Sequence, residues 1–182
     1  HKFEKASWDE VFNIIKSKIN ETSKDKIAGF VGDLINMETS YIFKEFFDRT
    51  LNINNYESRS SNYYVDINKR ENYLFNSSIN GIEESDLIFL IGSNPRFEST
   101  ILNARIRKSF VNNSTKIISL NDIGDLTYPY QSLDGQTKTI VEIFEGNNEV
   151  SKNILDSKKP LIIIGESFFK LKSSEFLFDL IK

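Results

Sequence analysis

The 182 residues are enough for one domain with a single sizeable core, and 39% hydrophobic and 27% charged residues are the balance of a globular chain. A net charge of -3 argues against a nucleic-acid partner, which needs a basic patch, and Arg105, Arg107 and Lys108 are too few to reverse that. The chain has no cysteine and its sole histidine is His1, which excludes zinc-finger or iron–sulfur ligation, thiolate nucleophiles and a Ser-His-Asp triad inside the fold.

Residues 7–22, SWDEVFNIIKSKINET, read as a helix. Ser7 and Glu10 have the spacing of a capping box, Asp9 and Glu10 suit the positive first turn, and Trp8, Val11, Ile15 and Ile19 form one apolar stripe. KIAGFVG, 26–32, reads as a short buried strand, and 36–51 as an amphipathic helix whose Phe43, Phe46 and Phe47 belong to a core. Residues 52–69 are polar and rich in Asn and Ser, with a short strand in NYYVDI. Residues 72–86 lead by a short helix or turn into DLIFLIG, 86–92, apolar on both faces as an internal parallel strand requires.

A helix is predicted over 95–113, a strand over 116–120, a loop over 123–135, and a helix over 136–146 stopped by Gly146. A second short helix precedes the strand PLIIIG, 160–165, and a last helix begins at SSEFLFDLIK. No run approaches the ~18 apolar residues of a membrane-spanning helix. Strands alternating with helices predict an α/β fold, a Rossmann-like parallel sheet with helices on both faces, as one domain over 1–182. A first residue other than Met and a helix still running at Lys182 lead us to expect a fragment whose fold continues past the C-terminus.

Gly92-Ser93-Asn94-Pro95-Arg96 stands where open α/β sheets hold ligands, at the carboxyl end of a strand. Gly92 would let a ligand approach the backbone, Asn94 can cap the next helix, Pro95 fits its first position, and free N–H groups there would receive a phosphate. The same residues are equally good turn-and-cap chemistry with no ligand at all. Other candidates read as structure. Gly29 to Gly32 is neither G-x-G-x-x-G nor a P-loop, the Glu83-Glu84 pair with Asp86 is a solvated turn, and Tyr128-Pro129-Tyr130 is a packing or partner contact.

The order of these motifs is more specific than any one of them. Residues 70–110 carry Arg70, Tyr73, Leu74 and Asn76, then Gly81, Glu83, Glu84 and Asp86, then Gly92, Asn94, Pro95, Arg96 and Glu98, then Asn103, Arg105, Arg107 and Lys108. With Asp125-Leu126-Thr127-Tyr128, the Lys-Lys-Pro strand of SKKPLIIIGES and the opening SWDEVF, the chain closely resembles the large iron–sulfur subunit of respiratory complex I, of 75 kDa type. Residues 52–69 depart from that family, which usually carries a glycine-containing loop there.

The matched region resembles the part that follows the cluster-binding segment, a domain similar to molybdopterin oxidoreductases such as formate dehydrogenase. The resemblance implies a structural domain without a cofactor of its own, with Arg70, Tyr73, Asn76, Asn94, Pro95, Arg96, Glu98, Asn103 and Arg105 as architectural motif residues. It implies iron–sulfur clusters and FMN in partner subunits or in a cluster-bearing N-terminal part. The implied partners are the NADH- and flavin-binding subunits of the peripheral arm, and the implied place is the matrix side of the mitochondrial inner membrane or the cytoplasmic face of a bacterial one. Two alternatives stay open: a fragment of an active molybdopterin-dependent oxidoreductase, holding a pterin nucleotide at Gly92, Ser93, Asn94 and Pro95, and, on fold analogy alone, a free nucleotide-binding module.

Overall fold

The computed structural model describes residues 3–32, 34–58, 65, 66 and 68–182. Where the sequence reading has one domain over 1–182, the structure has two compact units, His1–Asn62 and Tyr63–Lys182.

In the first unit, α1 (Trp8–Glu21) starts as its residues dictate, with the reciprocal Ser7–Glu10 capping box in place. No residue of α1 is buried, so its apolar stripe is a solvent-facing one, with the Trp8 and Phe12 rings stacked at 5.6 Å. The strand expected over 26–32 is only two residues long, β1 (Gly29–Phe30), and it is not buried, because Phe30 is 63% exposed. It pairs in parallel with β2 (Tyr56–Glu57), inside a segment read as mostly irregular. The strand expected over 62–67 falls largely outside the described residues.

Asn36 caps α2 (Met37–Glu45) by accepting from the Thr39 N–H, and a wider π-helical turn, Phe46–Leu51, continues it to Asn52 in the left-handed region. Phe47 is buried and packs against Phe43 and Tyr56, while Phe46 stays 41% exposed, so two of the three phenylalanines make the core. Gly29 permits this contact: a Cβ there would stand 2.4 Å from the Phe47 ring.

The second unit holds the main sheet. Short 3-10 turns at Arg70–Asn72 and Asn80–Glu84 lead into β3 (Leu87–Ile91), every residue of which is buried. Then come α3 (Pro95–Glu98), α4 (Thr100–Asn113), β4 (Lys116–Ser119), β5 (Gln131–Ser132), α5 (Thr137–Phe144), α6 (Glu149–Asp156), β6 (Pro160–Ile164), α7 (Glu166–Phe169) and α8 (Ser174–Ile181). The sheet order is β5-β4-β3-β6 with all pairs parallel, and Ile88 lies level with Ile117 on one side and Leu161 on the other.

The period of two on a strand divides the apolar run between two cores. Leu87, Phe89 and Ile91 pack with Ile140, Ile143, Val150, Phe168 and Leu177 from α5 to α8. Ile88 and Leu90 pack with Ile82, Ile106, Leu126 and Tyr128 on the opposite face. Helices thus flank both faces, as the alternating pattern predicts.

The α3–α4 region and the 123–135 segment of this unit also depart from the sequence reading. The helix expected over 95–113 breaks at Ser99 (φ -151°, ψ 69°), whose N–H closes α3 on the Pro95 carbonyl and whose own carbonyl receives the Asn103 N–H to open α4. The expected loop 123–135 contributes β5, which is held by β4 and not by any apolar pattern of its own, since both its residues are exposed.

Candidate functional site

The turn after β3 sits at the carboxyl edge of the sheet, beside the equivalent turn after β6. Gly92 takes φ +63°, a conformation that favours glycine. The space a Cβ would need is filled by the protein itself: it would lie 2.7 Å from the Phe168 N and 2.9 Å from the Ser167 Oγ. Ser167 Oγ donates to the Gly92 carbonyl at 2.5 Å, and the Gly165 N–H donates to the Ile91 carbonyl at 2.8 Å. Gly165 packs tighter still, because a Cβ there would come within 2.2 Å of the Gly92 oxygen and 2.6 Å of the Ser93 Cβ. The close approach expected of a ligand at Gly92 is therefore made by the β6–α7 turn. Sequence reasoning did not single out Gly165 or Ser167, although the recurrence of Gly after both apolar strands, FLIGS and IIIGES, is the signal that could have found them.

Asn94 does not cap α3 with its side chain, contrary to expectation. Its carbonyl receives the Phe97 and Glu98 N–H groups, while its side-chain amide reaches across to the Ile123 carbonyl at 2.9 Å. Cross-linking the loop after β4 wins over local capping because Pro95 at the first helical position already removes one of the N–H groups that need a cap. Ser93 is buried and its hydroxyl donates to Glu98 at 3.0 Å.

The other motif residues extend this framework. Arg96 donates to the Asp125 carbonyl and carboxylate, at 2.6 and 2.5 Å. Asp125 also receives the Thr127 N–H, which with Arg96 holds its carboxyl below the usual range. Asn103, buried, donates to the Leu126 carbonyl at 3.0 Å and accepts from the Tyr128 hydroxyl at 2.7 Å. Burial pushes the Tyr128 hydroxyl far above its ordinary value, so it remains a donor at any working pH. Arg107 donates to the Thr127 carbonyl at 3.3 Å. One side of the α3–α4 pair is thus tied to the single loop 123–128.

Its other side is tied to the 3-10 turn ahead of β3. Arg105 and Lys108 both pair with Glu83, and Asn113 donates to the Glu83 carbonyl at 2.6 Å. Lys108 and Arg105, in that order, hold the Glu83 carboxyl below its usual value. Glu84 pairs instead with Lys159 at 2.7 Å. The two adjacent carboxylates point to different partners, so no acid–base pair forms. Arg70, Tyr73 and Asn76 lie apart from this framework, exposed on the segment before the second 3-10 turn, where Asn76 donates to the Glu71 carbonyl at 2.8 Å.

Asp86 closes the entry to the sheet. Its carboxylate accepts from the Ser157 hydroxyl and from the Lys158 and Lys159 N–H groups, the latter at 2.7 and 3.0 Å. The Ser157 hydrogen bond, then those from the backbone, lower its pKa to about 2. A depressed carboxyl contributes stability that is complete above its unfolded value of about 4 and is lost as pH falls through about 2. Acid unfolding of the wild-type chain is expected to steepen across that window, and Asp86→Asn to remove that part of the pH dependence. Urea midpoints measured from pH 2 to 6 check it.

A pterin nucleotide fits this turn poorly. The clearance at Gly92 is occupied by Ser167 and Phe168, the Ser93 hydroxyl is engaged, and the Glu98 carboxylate beside it would repel a phosphate. The unpartnered buried atom at this turn, Asn94 Oδ1, is an acceptor and does not complement a phosphate oxygen. Among the described residues no three Asp, Glu or His side chains gather as a metal site.

The chain matches the molybdopterin oxidoreductase family over residues 1–182. It is 34% identical over 168 residues to an NADH-quinone oxidoreductase subunit of Rickettsia prowazekii, covering 92% of this chain and 25% of that protein. It is 32% identical over 194 residues to the NADH-ubiquinone oxidoreductase 75 kDa subunit of Reclinomonas americana, covering 99% and 28%. It is 34% identical over 186 residues to the mitochondrial NADH-ubiquinone oxidoreductase 78 kDa subunit of Candida albicans, covering 99% and 25%. The chain spans about a quarter of the length of these relatives. No helix among the described residues is long and apolar enough to cross a membrane.

Proposed function

The chain belongs to the molybdopterin oxidoreductase family, and from that premise we propose that it is a structural, cofactor-free domain in the large subunit of an NADH:quinone oxidoreductase. The observation that carries this reading is that the family's ligand turn is spent on internal contacts, with Gly92 against Ser167–Phe168 and Asn94 and Arg96 against the 123–125 loop. Relatives named as subunits of that enzyme, in bacteria and in a mitochondrion, supply the assembly. In this role the chain performs no redox step. Iron–sulfur clusters and FMN sit in neighbouring polypeptide, and the NADH- and flavin-binding subunits and a cluster-bearing part are its partners. The side of the membrane is the matrix in a mitochondrion and the cytoplasm in a bacterium.

The test separates assembly from chemistry. Arg96 and Asp125 are both solvent-accessible, at 39% and 74%, so Arg96→Ala is expected to change the folding equilibrium by roughly fivefold at most. Its effect belongs to the packing of the α3–α4 pair on the 123–128 loop and is expected as less assembled complex per cell. NADH turnover per assembled complex should stay at the wild-type value. Normal assembly with lost turnover would overturn the reading, as would molybdenum or tungsten in stoichiometric amount in the purified complex.

A further inference from the structure

We draw no further inference here: the strongest candidate, the apolar stripe that Trp8, Phe12 and Ile15 leave exposed along α1 in the first unit, is an unpartnered helix face, and nothing in the structure shows what covers it.

Discussion

Gly165→Ala is expected to destabilise the second unit severely. The added Cβ would stand 2.2 Å from the Gly92 carbonyl oxygen and 2.7 Å from the Ser93 Cα, and these are backbone atoms that no rotamer change can move. Relief requires parting β3 from β6, whose pairing runs from Leu87–Pro160 to Ile91–Ile164, and opening the Gly165–Ile91 and Ser167–Gly92 hydrogen bonds. The cost should reach at least ~3 kcal/mol, a large share of the ~5–15 kcal/mol that holds a domain together. Gly124→Ala is the control. It carries φ +77° but has nothing within 4 Å of an added Cβ, so it should cost only about 1 kcal/mol of backbone strain. Denaturant titration of both variants checks the contrast. A Gly165→Ala midpoint equal to that of Gly124→Ala would mean that the two turns do not meet as described.

The second large effect is expected at Asn103. Replacing it by Leu keeps the branching of the side chain but strands the Leu126 carbonyl and the Tyr128 hydroxyl inside the core formed with Ile82, Ile88 and Ile106. Two buried polar groups without partners should together cost ~2–5 kcal/mol. Tyr128→Phe alone removes one bond of that pair. The double variant should be clearly more stable than the sum of the single losses implies, by ~1 kcal/mol or more, because the orphaned hydroxyl is then gone. Strict additivity in urea unfolding would refute direct coupling of the two side chains.

These two positions illustrate what could be read from the chain. Asn103 was legible as part of a motif, and its partner Tyr128 was legible as a packing residue, but nothing in their spacing joined them. The distance between them is closed by α4 and the 123–128 loop lying on one face of the sheet. Gly165 was visible only as the last residue of a strand. Its importance comes from β6 lying beside β3, a neighbour about 70 residues earlier in the chain. Asn94 was legible as a cap and became a cross-link because the Ile123 carbonyl stood within reach and Pro95 had lessened the need for capping.

By itself the sequence determined the α/β class, the buried central strand, the positions of most helices and the family, since apolar period, caps and ordered motifs are local properties that survive without a partner. The break at Ser99, the two-residue strand β5, the exposure of the α1 stripe and the fate of the Gly92 turn were decided by tertiary structure. Each depends on which surface arrives opposite a residue, and the order β5-β4-β3-β6 brings together segments that no local pattern connects. The same glycine turn that could admit a phosphate holds Ser167 and Phe168 instead, because β6 and its following helix are packed against it.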